Sequence, residues 1–129
     1  MPKTTPTDVV RAFVAAINAA DLDAIHRLMT EDHTFTDARG NTFAGAEKMR
    51  VGWQHFLNAY PDYHIDVRHT FAEGNRIALF GEAAGGWRVN DVVLPQRWTI
   101  PAAWLVEVEN EQIENWSVLC DTNWANPPQ

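Results

Sequence analysis

The sequence has little of what marks secreted or membrane proteins. Its 129 residues include one cysteine, Cys120, so no disulfide can form within the chain, as is usual in a reducing cytoplasm. No apolar run approaches the ~20 residues that a membrane span requires. The N-terminal residues also lack the apolar segment of a secretion signal. We therefore expect a cytoplasmic protein that makes no contact with membranes.

Positive charge is also scarce. Ten Lys and Arg stand against 17 Asp and Glu, the formal net charge is −7, and the basic residues form no cluster. Because a nucleic-acid-binding protein needs a concentrated basic face to neutralise phosphates, we expect no nucleic-acid partner. The sequence has no metal-ligand spacing, no Gly-x-Ser-x-Gly elbow and no phosphate-binding loop. We expect neither a metal nor a cofactor.

Aromatic residues, in contrast, are abundant. The chain has six Trp and six Phe, within a composition that is 46% hydrophobic and 21% charged, as is usual for a globular protein. Its length suits one domain with one core. Since aromatic side chains fill cores and also line ligand pockets, their number alone does not decide between the two.

The N-terminal half predicts three helices. Thr5 can cap the first, with Pro6 at its first position, and an apolar stripe of helical period follows over residues 9–17. Asp21 can cap a short second helix. A third helix is expected from Gly45 to Tyr60, because Pro61 then ends it.

The remainder predicts strands. A short strand covers residues 33–37, and alternation of apolar and polar residues marks about four more strands between residues 63 and 121. Gly85-Gly86 is expected to interrupt the second of these four. The simplest packing is an α+β fold in which three N-terminal helices close the concave face of a curved antiparallel sheet, leaving a cone-shaped domain with an internal pocket. We predict one domain over residues 5–123 and a tail over residues 124–129.

Several segments resemble a known family. Residues 9–23, Val-Val-Arg-Ala-Phe-Val-Ala-Ala-Ile-Asn-Ala-Ala-Asp-Leu-Asp, are similar to the opening helices of bacterial ketosteroid isomerases and SnoaL-like polyketide cyclases. Residues 31–37 follow at the family's distance, Gly45 begins the third helix as the family's glycine does, and residues 110–113 stand at its usual Asp-Gly-Lys-Ile turn. The resemblance implies the nuclear transport factor 2-like fold, and a homodimer formed through the convex sheet face that bears Ala103 and Leu105. The fold hosts many activities and does not by itself select one.

The resemblance also implies roles for particular residues. Asp37 falls at the general base of the isomerases. Phe13 stands where they have an oxyanion-hole tyrosine, and Ala102 or Ala103 stands where they have a protonated aspartic acid. Loss of one such donor typically costs ~3 kcal/mol of transition-state stabilisation, which argues against steroid isomerisation by that mechanism. Asp121 falls near the aspartate that SnoaL-type cyclases carry at the end of the last strand.

The residues themselves make two carboxylates candidates for catalysis. Asp37 shares a strand face with Phe35, and burial among aromatic rings would raise its pKa into the range of a general acid or base. Alternatively, Asp37 caps the turn that follows or pairs with Arg39. Asp121 would supply a second carboxylate opposite Asp37, or else forms an exposed Asx turn.

Two histidines are further candidates. We assign His33 and His69 to interior faces, where either could assist proton transfer, although a lone buried histidine is more often a hydrogen-bonded structural residue. Cys120 has no base at readable spacing and is interpreted as a small buried hydrophobe. The predicted pocket walls are, besides His69, mainly aromatic: Phe13, Phe35, Trp53, Tyr63, Trp98, Trp104 and Trp116.

These features favour a small-molecule enzyme, an isomerase or lyase, that performs cofactor-independent acid/base chemistry on a hydrophobic carbonyl compound. Asp37 would be the principal proton acceptor, with Asp121 or a histidine as its partner. The alternative is a non-catalytic domain that binds an apolar ligand or serves in dimerisation. Two potential pocket carboxylates favour the enzyme, and the missing oxyanion donors favour the alternative.

Overall fold

A computed structural model of the chain describes residues 4–128. Two helices, α1 (Pro6–Asn18) and α2 (Leu22–Arg27), are followed by two strands, β1 (Met29–Thr36) and β2 (Thr42–Ala44), and then by the third helix, α3 (Ala46–Ala59). Four long strands follow, β3 (His64–Glu73), β4 (Arg76–Val89), β5 (Val92–Glu109) and β6 (Gln112–Cys120), and then a single 3₁₀ turn (Asn123–Ala125). The predicted α+β class, with the helices in the N-terminal half, is confirmed.

The six strands form one curved, open sheet in the order β2-β1-β6-β5-β4-β3. Its neighbouring strands are antiparallel except for β1 and β6, which pair in parallel. The expectation of a wholly antiparallel sheet is therefore wrong at this pair. The physical reason is that α3 and the β3–β5 meander separate β1 from β6 in the chain, so no tight hairpin forces the two to run in opposite directions.

Local sequence signals set the helix starts. The Thr5 hydroxyl accepts the Asp8 N–H at 3.1 Å while the Asp8 carboxylate accepts the Thr5 N–H at 3.0 Å, a capping box with Pro6 at the first helical position. Asp21 caps α2 by accepting the Ala24 N–H at 3.1 Å. Gly45 precedes α3 with φ 104°, a conformation that favours glycine. Among the described residues, no helix is long and apolar enough to cross a lipid bilayer.

The core lies between the helices and the concave face of the sheet. Along β5 the alternate positions Trp98, Ala102, Trp104, Val106 and Val108 are buried, as the period-2 pattern predicts. The apolar stripe of α1, which includes Val9, Val10, Phe13 and Ile17, packs across β3 to β6. This packing leaves the space beside α3 less filled, and the cavity lies there.

Strand β4 does not stop at its glycines as expected, but runs on to Val89. A Cβ atom at position 85 would lie 2.9 Å from the Trp98 ring. The glycine therefore makes room for a large cross-strand partner, to which it is directly paired. The Trp98 indole N–H donates to the Gly86 carbonyl at 2.9 Å, which ties the ring to this stretch of strand.

A bulge in β3 reverses which side chains face the core. Val67 pairs with Gly81 and His69 pairs with Phe80, so Arg68 is an extra residue between two consecutive pairs. Upstream of the bulge Tyr63 is buried, but His69 is exposed on the outer side. The prediction that His69 faces the interior is wrong, because one inserted residue shifts every later side chain to the other face.

Candidate functional site

A cavity of about 660 Å³ opens between α3 and the concave face of the sheet. Volumes of roughly 300–1,000 Å³ are typical of small-molecule sites. The inner walls are mainly aromatic, with Trp53 and Phe56 contributed by α3 and Trp104 and Trp116 by β5 and β6. Edge-on contacts between Trp53 and Phe56, 5.7 Å between centroids, hold this wall in place. A site of this size and character suits a mostly apolar organic molecule.

Five of the aromatic side chains predicted for the pocket line the cavity: Phe35, Trp53, Tyr63, Trp104 and Trp116. Two others do not. Phe13 is fully buried behind Trp116, at 5.0 Å between centroids, and belongs to the core. Trp98 is covered by Trp124, which stacks on it at 4.0 Å. Both corrections have the same cause: another ring stands between the side chain and the cavity.

Asp37 lies at the mouth of the cavity, one residue beyond the end of β1. Its Oδ1 accepts the backbone N–H groups of Arg39 and Asn41, each at 2.9 Å, and its Oδ2 accepts from the Asn41 side-chain amide at 3.3 Å. The carboxylate of Asp37 thus caps the turn that follows β1, which the sequence analysis gave as the alternative to a catalytic role.

The electrostatics of Asp37 differ from the expectation. Partial burial acts to raise its pKa, but the hydrogen bonds from Asn41 and Arg39, together with the Arg39 charge, outweigh it and leave the pKa below its usual value. The expected raised pKa is therefore wrong. Asp37 is ionised at neutral pH and retains free lone-pair capacity on Oδ2, the oxygen with one long contact.

Asp121 is exposed and does not line the cavity. Its Oδ1 accepts the Asn123 N–H at 2.8 Å, which is an Asx turn. Along β6 the cavity-facing positions are Trp116, Val118 and Cys120, so the next residue is of the opposite parity and lies past the strand end. The prediction of a second pocket carboxylate opposite Asp37 is wrong for this reason.

His33 is fully buried but is not among the cavity-lining residues. Its Nδ1 donates to the Ile113 carbonyl at 2.8 Å, and Nε2 has no partner among residues 4–128. Burial lowers the pKa of His33, against the opposing effects of the Ile113 carbonyl and the Asp32 charge. The ring is neutral and joins β1 to β6, the structural role that was the alternative to proton transfer.

The sequence did not identify several of the cavity residues, among them Tyr60, Trp124 and Cys120. Tyr60, at the end of α3, donates its hydroxyl to the Ala125 carbonyl at 3.5 Å. Trp124, assigned to the tail, packs against Tyr60 at 4.8 Å, and its carbonyl accepts the Trp87 indole N–H at 2.8 Å. Cys120, interpreted as a buried hydrophobe, lines the cavity half-buried. The sequence contained a signal for Cys120, because it lies an even number of residues after Trp116 on β6 and so shares its cavity-facing side. It contained no such signal for Trp124.

The mouth carries two cationic side chains. Arg39 and Lys48 line it beside Asp37, together with the exposed ring of His55. The Lys48 ammonium lies 5.7 Å from the centre of the Phe43 ring. Within the described part of the chain, no three His, Cys, Asp or Glu side chains gather so that they could hold a metal ion. The site thus offers an apolar interior, one carboxylate and a cationic rim.

Comparison with solved structures finds the same fold at low sequence identity. A proposed polyketide cyclase from Pseudomonas putida is 23% identical over 95% of this chain and 96% of its own, with a TM-score of 0.81. A protein of ketosteroid isomerase-like fold from Catenulispora acidiphila, solved with trimethylamine, is 23% identical over 95% and 91%, with a TM-score of 0.76. An LEH-like epoxide hydrolase from Mycobacterium tuberculosis is 17% identical over 96% and 89%, with a TM-score of 0.79.

The sequence was also compared with curated proteins and with family models. No curated protein matches the sequence. The sequence model of the SnoaL-like domain matches residues 10–116, from within α1 to the start of β6. The match therefore covers most of the helices and of the curved sheet. The chain belongs to the SnoaL-like domain family.

Proposed function

We propose that this protein is a small-molecule enzyme that transfers a proton next to the carbonyl group of an apolar compound bound in the cavity. The observation that carries the proposal is the cavity itself, about 660 Å³, aromatic inside, with Asp37 as the one carboxylate among its described lining residues. Structural neighbours described as a polyketide cyclase and an epoxide hydrolase support a small-molecule enzyme in general. The particular chemistry follows from the site.

Asp37 would act as the base through Oδ2. Its Oδ1 is fully engaged by two backbone N–H groups, whereas Oδ2 has a single long contact with the Asn41 amide. In the proposed step, Oδ2 takes a proton from the carbon beside the carbonyl, and the electron pair of the broken C–H bond moves to the carbonyl oxygen. Return of the proton to the same or a conjugated carbon regenerates the carboxylate and gives an exchanged or isomerised product.

The lowered pKa of Asp37 makes it a weak base. A weak base can still serve if the enolate oxygen is stabilised, because the barrier depends on both the proton acceptor and the stabilised anion. The proposal therefore requires a hydrogen-bond donor on the cavity wall, within reach of the carbonyl oxygen.

A second candidate is a non-catalytic domain that binds the same kind of molecule. It is favoured by the turn-capping role of Asp37 and by the positions of Asp121, His33 and His69, which lie away from the cavity. Such a protein would sequester or deliver an apolar ligand without changing it. The two candidates differ in whether bound ligand exchanges protons with solvent.

Proton exchange in D2O tests the proposal. With 2-tetralone as the ligand, NMR should show that the native protein accelerates deuterium incorporation beside the carbonyl. Asp37→Asn should reduce the rate at least a hundredfold while leaving binding in place, since Asn keeps the Oδ1 acceptor that the turn needs. Asp121→Asn, a matched change at an exposed carboxylate, should leave the rate unchanged.

Two outcomes would count against the enzyme. Equal exchange in native protein and Asp37→Asn would remove Asp37 from the chemistry. Binding without any accelerated exchange in native protein would favour the non-catalytic domain.

A further inference from the structure

The interior of the cavity offers few polar groups, and three of them are gathered on one wall. They are the hydroxyl of Tyr63, the thiol of Cys120 and the indole of Trp124, contributed by the residue just before β3, the end of β6 and the 3₁₀ turn. All three can donate a hydrogen bond, and the wall has no carboxylate or amide side chain among the described lining residues. A wall of donors suits a ligand atom that accepts.

Tyr63 is the member that is best placed to donate. Its ring meets Phe56 edge-on, 4.8 Å between centroids, and lies tilted against Trp98 at 5.9 Å, and the residue is only 9% exposed. Among residues 4–128 the hydroxyl is not one of the buried polar atoms left without a partner, so it is open to the cavity that it lines. An apolar ligand that covers this hydroxyl must supply an acceptor, because a donor buried without one is costly.

Trp124 carries the second donor of this wall. Its Nε1 is buried and makes no hydrogen bond of ordinary geometry to the described residues, and its neighbour there is the Cys120 sulfur, a weak acceptor. Stacking on Trp98 fixes the ring. By contrast, the hydroxyl of Tyr60, on the same side of the cavity, already donates to the Ala125 carbonyl. The unpaired donors therefore do not reflect a general lack of acceptors in this region.

We propose that Tyr63 is the specificity-determining residue of the cavity, and that its hydroxyl donates a hydrogen bond to the carbonyl oxygen of the ligand. This rests on the proposed function to the extent that the cavity must bind an apolar molecule. Beyond that function, the inference specifies that the carbonyl oxygen of the ligand is recognised and that Tyr63 recognises it. It also places a donor where the enolate oxygen of the proposed reaction would need one.

The protonation state of Tyr63 agrees with this role. Burial raises the pKa of the phenol above its usual value, and Cys120 nearby adds to the effect. Tyr63 therefore stays a donor throughout the pH range in which the protein would be assayed. Recognition of the carbonyl through Tyr63 should not vary with pH between 6 and 9, as estimated from the ordinary phenol pKa of ~10.

A matched pair of ligands tests the inference. 2-Tetralone and tetralin have the same carbon skeleton, and only the first has a carbonyl group. Tyr63→Phe should weaken binding of 2-tetralone by about five- to tenfold, the usual worth of one neutral hydrogen bond, and leave tetralin binding unchanged. Thr99→Val, which removes an exposed hydroxyl outside the cavity, should change neither affinity by more than about twofold, the effect of a few tenths of a kcal/mol.

The carbonyl stretching frequency of bound 2-tetralone gives an independent readout. It should be lowered in the native protein and in Thr99→Val, and return toward the value in an apolar solvent in Tyr63→Phe.

The outcomes separate the inference from the proposed function. Binding of both ligands with no loss of ketone affinity in Tyr63→Phe would overturn the role of Tyr63 and leave the cavity function standing. An equal loss for ketone and hydrocarbon would also overturn it, since the residue would then contribute shape alone. Failure of the native protein to bind either ligand would contradict the proposed function, and the inference with it.

Discussion

His33 shows how one residue can couple stability to pH without taking part in a reaction. Its imidazole is fully buried, and Nδ1 donates to the Ile113 carbonyl across the parallel pair β1–β6. Burial favours the neutral ring, so the folded-state pKa lies below the ordinary value of 6.5. In the unfolded chain the same ring is solvated and titrates normally.

The sign of the pH dependence follows from this difference. Above the unfolded pKa both states hold a neutral His33, and its contribution is constant. Below about pH 6.5 the unfolded chain takes up a proton that the folded chain resists, so the free energy of unfolding falls by up to about 1.4 kcal/mol per pH unit until the folded-state pKa is reached. Urea denaturation at pH 7.5, 6.5 and 5.5 should show this decrease in the free energy of unfolding.

Two variants check the assignment to His33. His33→Asn keeps a side-chain donor for Ile113 but has no titrating ring, and should flatten the dependence. His69→Asn changes an exposed ring and should leave it as in the native protein. If His33→Asn retains the full slope, another group is responsible.

Asp37 shows that neighbouring hydrogen bonds decide the pKa of a carboxylate at the cavity. The residue lies where the resemblance to ketosteroid isomerases implies, at the cavity, but its hydrogen bonds with Arg39 and Asn41 set its pKa. A position at a pocket therefore does not by itself confer a raised pKa. The local turn decides how strong a base this residue is.

At the scale of elements, the bulge in β3 depends on a glycine in the neighbouring strand. A Cβ atom at position 81 would lie 1.9 Å from the carbonyl oxygen of Asp66 and 3.2 Å from the amide nitrogen of Arg68, both backbone atoms. Gly81 thus leaves the space into which the bulged strand bends. Because backbone cannot move aside as a flexible side chain can, substitution here must distort the β3–β4 pairing.

Gly81→Ala should destabilise the protein by about 3 kcal/mol or more, at the upper end of the usual cost of overpacking. Chemical denaturation measures it. Gly52→Ala is the matched control, since an added Cβ in α3 would meet only the Met49 side chain at an ordinary 3.6 Å. That control should be neutral or stabilising by up to ~1 kcal/mol because alanine favours helix. Similar effects of the two substitutions would refute the role given to Gly81.

The 3₁₀ turn after β6 is the element least visible in the sequence. Asn123–Ala125 follows the Asx turn of Asp121, and it places Trp124 over Trp98 and against Phe56. The three residues form no periodic pattern, and the tryptophan is ordered by rings contributed by α3 and β5. A short irregular segment of this kind is positioned by what it contacts.

At the scale of the whole molecule, the outer face of the sheet carries an apolar patch. Phe71, Phe80, Leu105 and Leu119 are 62%, 45%, 36% and 59% exposed. The strand register places them in two adjacent rows, Phe71-Ala78-Leu105-Ser117 and His69-Phe80-Ala103-Leu119. Apolar side chains clustered in this way on one face typically mark an interface.

We predict that this patch pairs two copies of the chain. Sedimentation at micromolar concentration should then give about twice the 14.6 kDa of one chain. Leu119→Asp should yield the single chain, because an unpaired carboxylate would be buried in the interface. Val92→Asp, at a 59% exposed position in the β4–β5 hairpin, should leave the pair of chains intact. A native protein that sediments as one chain would overturn the prediction.

By itself, the sequence determined the interactions between residues that are close to one another in the chain. The Thr5 and Asp21 caps, the start of α3 after Gly45 and the alternation along β5 each depend on a few neighbouring side chains and the period of the element. These patterns were enough to predict the fold class and the five aromatic residues that line the cavity.

Only the tertiary structure decided what depends on distant parts of the chain. His69 faces outward because β3 bulges opposite Gly81, and Asp121 lies outside because β6 ends at Cys120. The wall of Tyr63, Cys120 and Trp124 brings together residues up to about sixty positions apart, close to one another only because a curved sheet returns to the same cavity. For His33 and for the donors of this wall, burial and hydrogen-bond partners come from that packing and have no local signature in the sequence.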